Sequence, residues 1–393
     1  NVNSLADVVA NDGECTLREA VISSNLNTTS GASAGECIAG SSGEDSIVFS
    51  GLPANSTITL SDQLEINEDL KINEPGLVGL TIQAGNLKRV LKLSSASLSL
   101  YSLTVSGGGI QTANQKGAGI YAGAGSTLVL NKATVSGNTV NISGAGIYAL
   151  QANITLNDSL VTQNGPASGS GVNLKGGGIA VNESTLTLNN STVSDNSASN
   201  MGGGIFCLNN GTININSDSQ LRDNQSFRGG GLYASSCDVT INNGTISGNY
   251  GKVRGGGLAV TAGILKIYSS TISTNSALIG DGGGIAIAGN ATIETSIILN
   301  NRAENGGGVY TSGDAIVTIN NSTISGNSAN DLGSSSSTSK GGGVFVSGGT
   351  TLSLINSTLS GNYSSRWGGG AAASASIYSQ SKLMLRNSTV SNN

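Results

Sequence analysis

A chain of 393 residues would ordinarily hold two or three domains, but 59 glycines, 3 prolines and 10% charged residues point to a repeat array, which escapes that expectation because each repeat touches only its neighbours. The 37% of hydrophobic residues recur too regularly for a disordered chain. A net charge of −5 with no histidine argues against a nucleic-acid partner and disfavours an anionic membrane surface. No apolar run approaches the roughly 20 residues that a membrane helix needs, so no membrane span is expected.

Taken in chain order, residues 1–50 stand apart as an N-terminal cap. Asn1 opens the chain without Met and with no signal peptide, as expected of a processed, exported protein or of a trimmed one. The stretch Cys15-Thr16-Leu17-Arg18-Glu19-Ala20-Val21-Ile22 predicts one short helix. Leu17, Ala20 and Val21 give it an apolar stripe, with Thr16 as cap and Glu19 as the capping partner. Ser23 to Ser42 reads as a Ser/Gly/Asn-rich loop. A terminal cap of this kind is expected where the first coil of a solenoid has no neighbour to cover its apolar end.

The motif Cys15-Thr16-Leu17-Arg18-Glu19-Ala20, followed by Gly43-Glu44-Asp45-Ser46-Ile47-Val48-Phe49 and Thr57-Ile58-Thr59-Leu60, resembles the N-terminal module of bacterial CSLREA-domain proteins, with Thr16 in place of the commoner Ser. The glycine-rich repeats that follow are similar to those of the chlamydial polymorphic outer membrane proteins. Both resemblances imply a right-handed parallel β-helix exported to the cell surface or beyond. Neither carries an agreed catalytic set.

Residues 51–106 read as short, irregular first coils, marked by pairs such as Ile58/Leu60, Leu64/Ile66 and Leu70/Ile72. Residues 107–393 read as regular repeats, roughly a dozen coils in all, interrupted by loop insertions at Gln163–Lys175 and Ala329–Lys340. In the best-formed stretch the glycine clusters end at Gly204, Gly231 and Gly257, a period of about 26 residues. After each cluster an apolar residue opens a strand (Ile205, Leu232, Leu258), a second strand alternates (Ile213/Ile215, Val239/Ile241), and a third supplies Val193, Leu221, Ile246, Ile272, Ile324, Leu359 and Val390. Period-two alternation sends these inward to build an aliphatic column, with Thr, Ser and Asn outward. The glycines are expected where a side chain would block the bend or where φ is positive.

Several ladders follow from stacking. Asn138, Asn196, Asn224, Asn249, Asn275, Asn327, Asn362 and Asn393 hold one place in the phrase S-x-N, with Arg222 in place of the serine before Asn224, and are expected to form a structural amide ladder at a left-handed turn. Sequons such as Asn190-Ser191-Thr192 and Asn321-Ser322-Thr323 coincide with the repeat phrase, and Asn190 and Asn321 stand for possible glycosylation. The second residue after the glycines gives Tyr121, Tyr148, Phe206, Tyr233, Tyr310 and Phe345, an outward aromatic ladder. It would stack on sugar rings or on another rod, unless the rings lie flat over neighbouring coils or under loops. Just before the glycines stand Met201, Arg228, Arg254, Asp281, Asn305, Lys340 and Trp367, where Arg254 and Asp281 would pair. Asp195 and Asp223 also share one place, either as a solvated pair or as part of a calcium or catalytic site.

Cys15 with Cys37 and Cys207 with Cys237 form two sequence-local pairs, read as disulfides of an oxidising compartment or as free buried thiols. No C-x-x-C spacing and no histidine supports a metal site, and no cofactor is expected. The last phrase, Asn387 to Asn393, stops inside a repeat, which suggests an open strand edge and end-to-end association into a filament. The sequence thus reads as an exported, extracellular or cell-surface rod with a structural or adhesive role, self-associating and able to meet surface glycans. A polysaccharide-binding module, lyase or hydrolase on the same fold is the alternative.

Overall fold

The computed structural model describes residues 1–85, 88–112, 114–167, 173–330, 339–374 and 380–393. It is a mostly-β parallel β-solenoid of about 12 turns with one helix near the N-terminus. The described residues form two compact units, Asn1–Leu186 and Thr187–Asn393. The central parts of both expected loop insertions, 168–172 and 331–338, lie outside the described residues.

In the first unit, helix α1 (Leu17–Leu26) begins where the sequence places it and runs four residues past Ile22, into the expected loop. Thr16 and Glu19 form the reciprocal capping box, and Asn27 closes the helix in the left-handed conformation at φ 54°. Each residue of the Cys15–Ala20 motif has a structural task. Cys15 is bonded to Cys37 with Cα atoms 4.9 Å apart, and Leu17 is fully buried. Glu19 accepts from the Thr16 amide at 2.9 Å and from the Ala10 amide at 2.8 Å, which ties the N-terminal segment to the helix. Arg18 is a clasp. Its guanidinium donates to both Asp7 oxygens at 2.8 and 2.9 Å, to the Asp62 carbonyl at 2.6 Å and to the Gln63 carbonyl at 3.3 Å.

Burial would raise the Asp7 pKa, but hydrogen bonds from Arg18 and Ser61 outweigh it, so the carboxyl is held below its ordinary value. A carboxylate depressed in the folded state contributes stability that is present above its unfolded pKa of about 3.9 and is lost as pH falls through the folded value. Acid titration of thermal stability is therefore expected to show a loss below about pH 4 that Asp7→Asn removes, leaving a lower but flatter profile. An unchanged profile in Asp7→Asn would contradict the clasp.

The coils of the first unit stack three rows of apolar residues in register. One row is Leu64, Leu91, Ile120, Ile147 and Ile179; the next is Ile47, Ile72, Leu100, Leu130 and Leu156; the third is Ile58, Ile82, Val105, Val135 and Val161. The coils between residues 51 and 106 therefore keep the same register as those after them.

In the second unit most coils have three strands and a short fourth run. A representative coil has Ile205–Leu208, Thr212–Asn216, Gln220–Arg222 and Gln225–Arg228. Ile205, Leu232, Leu258, Ile285, Val309 and Val344 form the first inward row, all fully buried. Val193, Leu221, Ile246, Ile272, Ile298, Ile324 and Leu359 form the third, also fully buried. Val390 continues that row but is 51% exposed, because no described coil stacks beyond it.

The glycine triplet that joins the fourth run to the next first strand has a separate reason for each glycine. Gly229 sits at φ 65°, a left-handed bend that disfavours a side chain. A Cβ on Gly230 would stand 2.5 Å from the backbone carbon and oxygen of Tyr250 in the next coil's fourth run. A Cβ on Gly231 would stand 2.7 Å from the Gly257 oxygen and 3.1 Å from the Asn249 amide carbon. The triplet is a backbone-on-backbone packing site as well as a turn.

Cys207 and Cys237, on consecutive coils, are bonded with Cα atoms 6.3 Å apart. Two disulfides suit an oxidising compartment. Among the described residues no helix is long and apolar enough to cross a membrane.

Candidate functional site

The asparagine ladder lies inside the coil corner and is saturated. In the second unit the Asn249 amide N–H and its Nδ2 both donate to Asn275 Oδ1, at 3.0 and 2.9 Å, while Nδ2 also donates to the Leu221 carbonyl at 2.9 Å. The same set repeats from Asn196 through Asn224, Asn249, Asn275, Asn327 and Asn362 to Asn393. The ladder also includes Asn301, and in the first unit Asn138 donates to Asn164 at 2.9 Å. Asn164 and Asn301 escape the S-x-N phrase because Thr162-Gln163-Asn164 and Leu299-Asn300-Asn301 replace its serine. Their spacing of 26 residues from Asn138 and Asn275 is the signal that finds them.

Sequon asparagines Asn190 and Asn321 are exposed at left-handed turns, φ 46° and 49°. The serine after each is the buried member of a second ladder: the Ser296 amide donates to Ser322 Oγ at 3.1 Å, and Ser322 Oγ donates to the Asn320 carbonyl at 2.7 Å. The repeated Asn-Ser-Thr phrase is thereby a turn, a ladder rung and a strand start.

The outward aromatic ladder is corrected in one respect. Tyr121, Tyr148, Phe206, Tyr233, Tyr310 and Phe345 do leave the aliphatic column, but Tyr148, Phe206, Tyr233 and Phe345 are buried, and Tyr121 and Tyr310 half-buried. Each triplet folds the segment before it back over the outer side of the first strand, so the rings are covered. They pair along the stack, Tyr121 with Tyr148 at 5.6 Å between centroids, Phe206 with Tyr233 at 6.0 Å and Tyr310 with Phe345 at 5.8 Å. Cations from the preceding segments lie over them: Arg89 on Tyr121, Lys116 on Tyr148, Arg254 on Tyr310 and Lys340 on Phe345.

Arg254 and Asp281 are bridge neighbours but do not form an ion pair. Arg254 donates to Ser312 Oγ at 2.9 Å, and Asn305 Nδ2 donates to Asp281 at 3.0 Å. Burial pushes the Asp281 carboxyl up, against the hydrogen bond from Asn305 and the charge of Arg254. Burial and then the Asp281 charge push the Tyr310 hydroxyl up. Asp195 and Asp223 sit exposed at equivalent left-handed turns, φ 56° and 55°, with Asp223 paired to Arg222 at 3.0 Å. Among the described residues no group of three or more His, Cys, Asp or Glu is placed to share an ion.

The second unit carries a further exposed row on the fourth run, a strand absent from the sequence reading. Its outward row is Gln225, Tyr250, Ser276, Arg302, Ser328 and Tyr363, one residue per coil. Around its first rungs an open groove of about 320 Å³, within the size range of small-ligand sites, is lined by Ser197, Ser199, Gln225, Phe227, Tyr250 and Lys252. Phe227 is 37% exposed, with the Arg228 guanidinium 5.7 Å and the Lys252 ammonium 5.9 Å from its ring centroid. Phe227 stands three residues after the ladder asparagine Asn224, and Tyr250 directly after Asn249, so the two aromatics hold different places in the repeat.

Neither a protein-family model nor a curated sequence matches the chain. Among solved structures the chain is similar to the crystal structure of the periplasmic alginate epimerase AlgG, with a TM-score of 0.50 and 12% identity, over 85% of this chain and 78% of that one. At that identity the likeness supports the parallel β-helix and nothing finer.

Proposed function

We propose that this chain is an exported, adhesive β-solenoid scaffold, of the kind the CSLREA-like opening implies, that holds a glycan against the fourth run of its second unit. The observation that carries this reading is the Phe227–Tyr250 groove, where aromatic surface and hydrogen-bonding side chains from Ser197, Gln225 and Lys252 converge on an otherwise aliphatic and amide-built coil. An aromatic wall beside a few polar groups is how a site takes a sugar, whose C–H faces want apolar contact and whose hydroxyls want donors and acceptors. The reaction class is binding, without turnover. Asp281 and Tyr310, whose raised pKa values would attract attention as acid–base groups, are engaged with each other and with Asn305 and Ser347.

A glycan array probed with the full chain, followed by calorimetry on the oligosaccharides retained, tests the reading. Phe227→Ala is expected to weaken binding at least tenfold, the equivalent of about 1.4 kcal/mol of lost contact, with the recovered glycan unchanged in length and composition. An array that retains no glycan, or a glycan shortened on incubation, would overturn it.

A further inference from the structure

Arg228 and Arg254 are Cα partners on adjacent fourth runs, so two guanidinium-bearing positions stand one rung apart. Like charges directly opposite on neighbouring strands are destabilising unless something neutralises them. No ion pair involves Arg228, Arg254 or Lys252. Arg254 Nε is buried and without a hydrogen-bond partner, and its Nη2 bonds only the neutral Ser312 hydroxyl. Asp281, its Cα neighbour on the next rung, is held by Asn305 and forms no ion pair with Arg254. Lys252 lines the groove itself, and no carboxylate does. Arg228 and Lys252 instead flank Phe227, 5.7 and 5.9 Å from its ring centroid, and neither has an ion-pair partner.

We infer that the groove selects an acidic glycan, a chain bearing uronate carboxylates or sulfates, whose ring lies against Phe227 and Tyr250 and whose anionic groups neutralise Arg228 and Lys252. This deepens the proposed function and rests on it. The aromatic pair supplies sugar contact and the cations choose among sugars; a site for polyanions in general would need the cations alone.

Calorimetry on the full chain would compare three probes: oligogalacturonate, its methyl ester, and a single-stranded oligonucleotide of equal charge. Oligogalacturonate is expected to bind at least tenfold more tightly than the ester, with a steep loss of affinity on raising salt. Arg228→Gln and Lys252→Gln should each remove most of that preference while leaving the ester's weak affinity in place, and Phe227→Ala should weaken both sugars. Equal affinity for acid and ester overturns the charge selection but leaves glycan binding standing. Binding of the oligonucleotide as tight as that of the sugar and indifferent to Phe227→Ala makes the cluster a general polyanion site and overturns the inference. Binding of no probe overturns both readings.

Discussion

Replacing Asn275 by alanine is expected to destabilise the second unit by about 4 kcal/mol, more than any surface change. The side chain is 1% exposed and its Oδ1 is the acceptor for both the backbone N–H and the Nδ2 of Asn249. Its own Nδ2 supplies the Ile246 carbonyl and Asn301 Oδ1, at 2.9 and 3.0 Å. Alanine strands two donors of Asn249 in a closed corner, each costing about 1–3 kcal/mol, and adds a small cavity. Because neighbouring rungs share these bonds, the double variant Asn249→Ala/Asn275→Ala should cost clearly less than the sum of the singles. Urea unfolding followed by far-ultraviolet circular dichroism measures both quantities. A single-variant loss under about 1 kcal/mol would mean that the amides are exchangeable for water, contrary to their burial.

Gly230→Ala is expected to cost about 3 kcal/mol, although alanine is the smallest possible addition. The new Cβ would meet the Tyr250 carbon and oxygen and the Gly256 oxygen, each at 2.5 Å, and all three are backbone atoms that no rotamer change can move. The fourth run of the next coil must then shift away, taking Tyr250 and Lys252 with it. The same variant should therefore lose glycan affinity as well as stability, whereas a glycine outside the triplets such as Gly43, with open space around its Cβ position, should accept alanine with little change. If Gly230→Ala melts with the unaltered protein, the close approach of the fourth run to the triplet is wrong.

Much of this architecture was legible in the residues. Ile205, Leu232 and Leu258 announce the inward row because they follow glycine at a fixed period, and Thr16 with Glu19 announces the helix start by its capping box. Period-two alternation is local, so it reports which way a strand residue points but not what returns to cover it. That is why the sequence leaves open whether Phe206 and Tyr233 are exposed or covered; in the fold they are buried, with Gly202 and Gly229 turned back against them, and the fourth run of two to five residues is too short to carry a period of its own. The same blindness hid Phe227 and Tyr250, which sit on that run. Asn301 was missed for a different reason. Stacking fixes the position of the ladder asparagine, whereas the serine two residues before it is free to change, here to Leu299.

Crystals of the full chain soaked with oligogalacturonate give the most direct measurement. The account predicts a sugar in the groove, in contact with Phe227 and Tyr250, with a carboxylate within hydrogen-bonding distance of Arg228 or Lys252. Density for the sugar elsewhere on the coils, with that groove left to solvent at saturating ligand, would contradict it.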